Sequence, residues 1–480
     1  HGKAVTGKGH LPLPMGEVPE AERAIFTLSV GFAASSPKGG AKGDEGNGLP
    51  HQPAHALAKI KENLQDNSGY LCYTIKIYYY AHKGGIPLRY WFGYLTAGIF
   101  AAITWLLTRF GERYATLVDM VYPYVVRTLQ EYLANWTGQF TYPVWQALAV
   151  VLGMLILASL VLVLVLKWNP IQWLGWVLAV FSGIYLLHMA MWGMNYYAGS
   201  LSDDIRLEVS SYNLDELTEA TEYYRDKANS LAKRVSRDGS GNVKFDSFEE
   251  MAEKAGEGFH TLTYEKHYPV FAGCTLPVKK LGWADMYTSM GITGFTFGIT
   301  GEACVNPQIP DVLLPFTMCH EMAHRMCIAS ERDANFGAFL ACSVHSDPNF
   351  QYSAYFMAFR YCYSALASVN TQAAAAAAAR VKQGVGDTLR TDWNAYDAFF
   401  NQKQDTKATH LADTVNDTYL KTSGEKQGIS SYAQVCDLLV NWHIQTVVLP
   451  SITQTETRFD PYDTTKVDLS GIVNAKGGIG

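Results

Sequence analysis

Two histidines and a glutamate in the C-terminal half of the chain have the spacing of a hydrolytic zinc site. His320 and His324 are four residues apart and Glu321 lies between them, so on a helix both imidazoles leave the same face, one turn apart. Two neutral imidazoles at this spacing can bind Zn²⁺, which lowers the pKa of a bound water to about 7. This is the HExxH arrangement of zinc peptidases, and it predicts Glu321 as the general base.

The residues that follow predict a third ligand on a second helix. A short turn after Cys327 brings a helix that starts near Ser330 back beside the first, so we expect Glu331 to be the third zinc ligand. Asp333 is the alternative ligand. A further interpretation stays open, in which residues 330–333 are a capping box with acidic side chains at a positive helix end.

The chain also resembles a known family. Glu331, Ala334 and Asn335 resemble the Glu-x-x-Ala-Asn segment that several HExxH peptidase families use for their glutamate ligand. Residues 90–448 resemble an uncharacterised bacterial membrane-protein family, domain of unknown function 3810, with three N-terminal spans and a zincin-like domain. The similarity includes the HExxH block and residues 192–197, 301–306, 352–353 and 416–421. The family pattern has Glu at Asp333 and Gly at Cys327, where Gly suits a turn with positive φ.

Three long apolar segments predict a membrane-spanning region ahead of the motif. Residues 90–108, 144–166 and 173–193 reach the ~20 residues that a spanning helix needs, and Trp and Tyr gather at their ends, as at lipid–water interfaces. Only 17 % of the chain is charged, against 48 % apolar, which is low in charge for a wholly soluble protein. The net charge of −6 provides no basic surface for nucleic acid, so no such partner is expected.

Three spans place the N-terminus and the zinc domain on opposite sides of the membrane. Basic residues before the first span and in the hairpin between the second and third favour the cytoplasm for those ends: Lys76, Lys83, Arg89 and Lys167. Three arginines in the loop between the first two spans argue the other way: Arg109, Arg113 and Arg127. We expect a protein integral to the bacterial cytoplasmic membrane, with its catalytic domain on the extracytoplasmic side.

The predicted fold class is mainly α, with a three-helix transmembrane region followed by an α-rich zincin-like domain containing a small β element. The predicted domains are a poorly specified N-terminal region (1–87), the transmembrane region (88–200), the metallopeptidase domain (201–455) and a C-terminal tail (456–480). Residues 290–300, rich in Gly, Thr and Phe, predict a strand and turn just before the metal helix. Zinc peptidases commonly receive a peptide substrate on an edge strand in this position.

Five further residues are candidates for roles near the zinc. Glu302 and Asn306 suit contacts around the metal or the substrate, or else turns and helix caps. Tyr419, Tyr432 and His443 are candidates for stabilising the oxyanion of a tetrahedral intermediate. A purely structural role is the alternative for each of them.

Two other patterns have the residue types of a metal or disulfide site. Residues 238–249 carry oxygen-bearing side chains in the order of an EF-hand loop, but Val243 stands where the turn needs Gly, so Ca²⁺ is not expected. The eight cysteines contain no CxxC pair, and cysteine ligation is not expected either. In an extracellular domain, Cys274 and Cys304 are candidates for a disulfide.

The function predicted from the sequence is therefore a membrane-anchored zinc metallopeptidase, with the lipid bilayer and a peptide or protein substrate as partners. The alternative is a non-catalytic, membrane-anchored zinc-binding sensor or cell-envelope scaffold. Glu321 argues against a degenerate site, because a purely structural metal site has no use for a base beside the ion.

Overall fold

The computed structural model describes residues 88–245, 247–401 and 434–450, together with residues 414, 417, 418 and 421. Helices dominate this part of the chain, and three short strands form one sheet, which confirms the predicted mainly α fold with a small β element. Residues 1–87, the tail at 456–480, Tyr419 and Tyr432 lie outside the described residues.

The elements are numbered in chain order. The helices are α1 (Phe92–Arg113), α2 (Ala115–Thr137), α3 (Val144–Val165), α4 (Pro170–Met191), α5 (Leu201–Asp204), α6 (Leu214–Ala232), α7 (Phe248–Lys254), α8 (Gly256–Tyr264), α9 (Ala284–Ser289), α10 (Leu314–Arg325), α11 (Glu331–Val344), α12 (Pro348–Ser368), α13 (Gln372–Gln383), α14 (Asp387–Asn401) and α15 (Val435–His443). The strands are β1 (Lys279–Lys280), β2 (Gly294–Phe297) and β3 (Glu302–Val305).

Helices α1, α3 and α4 are each long and apolar enough to cross a membrane, in agreement with the three segments predicted from hydropathy. Helix α1 lies along α4, where a Cβ on Gly93 would overlap the backbone of Gly175. Such close approach through small residues is typical of helices that pack within a bilayer. The Tyr94 hydroxyl adds a hydrogen bond to the Ile171 carbonyl, at 2.8 Å.

Helix α2 occupies most of the segment that the sequence suggested to be a loop between the first two spans. Its inner face buries Val118, Val126 and Gln130, whereas large apolar side chains remain on its outer face. The sequence pattern concealed this helix, because apolar residues on both faces remove the polar–apolar contrast by which an amphipathic helix is recognised. Pro123, which lies inside the helix, also predicts a break.

Most of the remaining helices form a domain around one large core, in which α10, α11 and α12 pack against each other and α12 packs against α6. Asn213 caps α6 and, with Glu216, forms the predicted capping box. The sheet has the order β1-β3-β2, with β3 parallel to β1 and antiparallel to β2. Strand β2 is therefore an edge strand of this sheet, and it lies against α10. This agrees with the strand predicted within residues 290–300.

Candidate metal centre

Helix α10 carries the HExxH motif and is buried along its whole length. At its start, Pro315 occupies the first turn, and the Phe316 N–H donates to the Ser353 hydroxyl at 3.1 Å. Near its end, the Trp192 indole N–H donates to the His324 carbonyl at 3.1 Å. Backbone groups at the helix ends, which have no hydrogen-bond partner within the helix, are thus bonded to Ser353 and Trp192. These bonds hold the motif in place.

The turn after α10 determines how the second helix returns. Cys327 has φ +73°, its N–H donates to the His324 carbonyl at 2.9 Å, and the Ile328 N–H donates to the Ala323 carbonyl at 3.1 Å. These two bonds around a left-handed residue define a Schellman motif, in which Gly normally occupies the left-handed position. The family's Gly at this position suits the turn, and this chain adopts the same conformation with Cys.

Three side-chain atoms converge where α10 and α11 meet. His320 Nε2 lies 3.1 Å from His324 Nε2, and Glu331 Oε2 lies 3.2 Å from the first and 3.4 Å from the second. Zn–N and Zn–O bonds of about 2.0–2.1 Å in a tetrahedron require ligand atoms roughly 3.3 Å apart. The three edges are close to this spacing, so the distances between the three atoms suit a tetrahedral zinc ion.

Contacts outside this triangle orient the imidazoles. His324 Nδ1 lies 2.8 Å from the Ile328 carbonyl, so this nitrogen carries a proton and Nε2 is the nitrogen that faces the cluster. The Asn335 side chain accepts from the Tyr361 hydroxyl at 3.2 Å and raises the pKa of His320, although burial of that imidazole outweighs it. A carbonyl partner on the outer nitrogen, as His324 has, is a regular feature of histidines that bind metals.

The three groups of the cluster each have a shifted pKa. Burial lowers the pKa of His320. Burial also opposes the charge on His324, but the Glu331 carboxylate outweighs it and raises that pKa. Burial disfavours ionised Glu331 as well, yet the two imidazoles hold its pKa at about 2. A buried carboxylate that stays ionised opposite two imidazole nitrogens is a donor set that Zn²⁺ prefers.

Strand β2 determines the position of Glu321. The Thr296 hydroxyl lies 2.7 Å from Glu321 Oε2 and 2.9 Å from the Glu321 carbonyl, and a Cβ on Gly294 would overlap the Glu321 carboxylate. The alternate side chains, Phe295 and Phe297, pack against Trp145 in the first turn of α3. One face of the strand thus contacts the predicted base, and the other contacts a membrane-length helix.

Glu302 and Asn306 have structural contacts. The carboxylate of Glu302 accepts from the N–H groups of Val144 and Trp145 at 2.7 and 2.9 Å and pairs with Lys279 at 2.7 Å, so it caps the N-terminus of α3. The Asn306 amide donates to the Thr288 hydroxyl and the Ile292 carbonyl. Both arrangements agree with the helix-cap and turn alternatives.

Asp333 and His443 lie outside the triangle. Asp333 accepts from the Leu201 N–H at 3.1 Å and from Arg332 at 2.8 Å, and His443 packs against Tyr223, 4.7 Å between ring centres. Ser330 begins α11 without a side-chain cap bond. Glu331, whose carboxylate contacts both imidazoles, thus has a position that a simple capping box does not explain.

The described cysteines and Asp238 of the EF-hand-like loop have contacts within the protein. The seven cysteines in the described part are buried free thiols, Cys274 and Cys304 included. The Asp238 carboxylate accepts from the N–H groups of Ser240 and Asn242, both at 2.9 Å. It thereby forms an Asx-type turn within its own loop.

Three residues around the motif were missed by reasoning from the sequence: Trp192, Thr296 and Asn335. Trp192 and Asn335 lie in segments that resemble the family, so the sequence marks their positions but does not indicate their contacts. Thr296 lies on the strand predicted to lie beside the metal helix. Its contact with Glu321 depends on strand register, which the local pattern does not specify.

Together these observations define a mainly helical protein with three helices long and apolar enough to cross a membrane, and with a His-His-Glu cluster at a helix–helix junction. The chain belongs to the family described as "Protein of unknown function (DUF3810)", whose model matches residues 118–440. The match begins within α2 and is narrower than the expected similarity over 90–448. No curated protein and no solved structure matches the chain, so its zincin-like character stays a prediction.

Proposed function

We propose that this protein is a membrane-anchored zinc metallopeptidase. The observation that carries the proposal is the triangle of His320, His324 and Glu331, whose edges of 3.1–3.4 Å suit tetrahedral zinc. Among the described residues, these three side chains make up the group that could hold a metal ion. Three protein ligands and an open fourth position are the usual arrangement of a catalytic zinc site.

Several residues of this chain would each have a separate role in hydrolysis. When bound, Zn²⁺ lowers the pKa of a coordinated water and polarises the scissile carbonyl. Glu321 takes the proton of the attacking water and returns it to the leaving amine. The Thr296 hydroxyl, 2.7 Å from Glu321 Oε2, orients this carboxylate, and the Ile328 carbonyl keeps His324 in the tautomer that can bind the metal.

The cellular placement belongs to the same proposal. Helices α1, α3 and α4 anchor the chain in the bacterial cytoplasmic membrane, with the zinc domain on the extracytoplasmic side. Arg127, one of the three arginines that argued for the opposite orientation, is buried and donates to the Met326 carbonyl at 3.2 Å. Arg127 therefore attaches α2 to the domain and is not a charge of an exposed loop. Arg109 and Arg113 are then the basic residues that oppose this orientation.

A non-catalytic zinc sensor or scaffold is the second candidate, and burial favours it. His320, Glu321, His324 and Glu331 are each at most 3 % exposed, as in structural zinc sites, which are closed to solvent. Glu321, which follows His320 on α10 and is not one of the three grouped side chains, favours the peptidase, because a purely structural site has no use for a base there. The two candidates predict the same metal content and differ in hydrolysis.

Metal content and hydrolysis should be measured on the full chain purified in detergent and loaded with zinc. We expect about one zinc per chain in the wild type and in Glu321→Gln, and loss of zinc in Glu331→Gln, because the carboxylate is a ligand. Asp333→Asn is the matched control on the same helix. Its side chain bonds to Leu201 rather than to the imidazoles, so zinc should be retained.

The same preparations should then be incubated with a complex peptide mixture and the products identified by mass spectrometry. We expect new cleavage products from the wild type and from Asp333→Asn, and at least a hundredfold fewer from Glu321→Gln, the usual size of a general-base contribution. Zinc without cleavage would favour the sensor or scaffold. A wild type that binds no zinc would contradict both candidates.

A further inference from the structure

Helix α2 has an apolar outer face that the described part of the chain leaves uncovered. Six of its large side chains are between 50 and 66 % exposed: Leu117, Met120, Val121, Tyr124, Val125 and Trp136. The first five recur at the three- and four-residue intervals of one helix face, and Trp136 lies eleven residues further on, past the exposed Thr128, Glu131 and Asn135. We call the six apolar side chains the α2 outer face. A soluble monomer rarely exposes so many large apolar side chains on one helix, which marks an interaction site.

The opposite face of α2 is attached to the domain by polar bonds. Arg127 donates to the Met326 carbonyl at 3.2 Å, directly after α10, and Gln130 donates to the Gly298 carbonyl at 2.7 Å. Near the helix end, the Thr137 hydroxyl lies 3.3 Å from the Thr300 carbonyl. These bonds determine the rotation of α2 about its own axis, so the α2 outer face points away from the domain.

The connections of α2 place it along one face of the membrane. It follows α1 after Tyr114 and precedes α3, and both of these helices have the length and apolarity of spans. If α1 and α3 are consecutive spans, α1 ends on the same face of the membrane on which α3 begins. Helix α2, which joins them, therefore starts and finishes on that face. Its 23 residues, roughly 35 Å of helix, therefore run along that face.

Trp283 and Met286 form a second exposed apolar pair, near the start of α3. Gln146, in the first turn of α3, accepts from the Gly282 N–H at 2.9 Å and donates to the Gly282 carbonyl at 3.2 Å. The next residue, Trp283, has φ +54° and is 54 % exposed, and Met286 is 46 % exposed. A left-handed Trp is a strained conformation, and here it holds the indole out beside the start of a span. Trp is enriched at this depth in membrane proteins.

We propose that the α2 outer face and Trp283 lie in the headgroup layer of the membrane that α1, α3 and α4 cross. The occupant is lipid, because the face is continuous with two spans at both ends and carries Tyr and Trp among aliphatic side chains. Helix α2 is thus an interfacial helix, with lipid on one side and the domain on the other. This proposal is independent of zinc binding and of peptidase activity.

Depth-dependent quenching tests the proposal on the full chain reconstituted in phosphatidylcholine–phosphatidylglycerol vesicles. The described cysteines are buried, so in a Cys72→Ser background an introduced exposed cysteine can be labelled selectively with an environment-sensitive fluorophore. Val121→Cys reports on the outer face, Leu157→Cys within α3 is the control for lipid contact, and Ala376→Cys on α13 is the control for water contact. Val125→Cys is a second outer-face site if the Val121 variant does not reconstitute.

Lipids brominated near the headgroup and near the chain end should distinguish the three positions. We expect the Val121 label to be quenched severalfold more by the shallow bromine than by the deep one, and the Leu157 label to show the reverse. The Ala376 label should be quenched by neither. Quenching of the outer-face labels no greater than at Ala376 would overturn the proposal. Protection from both lipid bromine and aqueous iodide would do so as well, because it would indicate a protein partner on this face.

Discussion

At the scale of single residues, the conformation of Cys327 links the metal helix to its third predicted ligand. The left-handed turn at this residue directs the Ile328 carbonyl to His324 Nδ1 and begins the path to Glu331. A side chain at positive φ costs roughly 1–2 kcal/mol relative to Gly. The Cys327 side chain is buried, and burial raises the pKa of its thiol to about 12.

Cys327→Gly and Cys327→Ala both remove the thiol, and they differ in whether a Cβ must occupy the left-handed conformation. We expect Gly to be more stable than Ala by about 1 kcal/mol, because relief of strain exceeds the extra freedom that Gly gives the unfolded chain. Thermal unfolding in detergent should place the Gly variant a few degrees higher, roughly 2–4 °C. Equal stability would mean that residue 327 is not left-handed.

At the scale of elements, strand β2 connects a membrane-length helix to the predicted base. Phe295 and Phe297 pack on Trp145 of α3, while Thr296 and Gly294 contact Glu321. The position of the predicted general base thus depends on a strand that is itself held by a membrane-length helix. A small change in this strand should affect catalysis without removing any metal ligand.

Gly294→Ala is such a change, because its Cβ would overlap the Glu321 carboxylate and displace it. We expect zinc content to stay near the wild-type value and peptide cleavage to fall by about a hundredfold or more, as for loss of a general base. Gly239→Ala is the matched control, since a Cβ there meets no heavy atom within 4 Å. Cleavage by Gly294→Ala at the wild-type rate would show that this carboxylate is not the base.

The sequence predicted the elements better than it predicted their contacts. His320 and His324 follow from four-residue spacing, and the return of Glu331 follows from a turn signal close by. Helix α2 was not recognised, because one of its faces is buried in the domain and the other is also apolar. The contact of Thr296 with Glu321 joins residues that are distant in sequence, and local patterns do not encode such packing.

At the scale of the whole molecule, the proposed interfacial helix sets the height of the candidate zinc site above the lipid. Arg127 on the inner face of α2 reaches the Met326 carbonyl, one residue past the end of α10, at 3.2 Å. A helix with its side chains is about 10–12 Å across, and His324 is within one turn of that end. The zinc site would therefore lie roughly one helix diameter from the membrane surface.

This height predicts the substrates of the proposed peptidase, namely polypeptide segments next to the bilayer. A peptide attached to lipid through a spacer of about 4 residues, roughly 14 Å when extended, should reach the site. Proteoliposomes should cleave it at a rate within about threefold of the same peptide on a spacer of about 20 residues, since both are confined to one surface at similar effective concentration. Glu321→Gln supplies the background rate for both peptides. Cleavage of the long-spacer peptide alone would place the site farther from the membrane, while cleavage of neither would count against peptidase activity and leave the lipid contact of α2 to be decided by quenching.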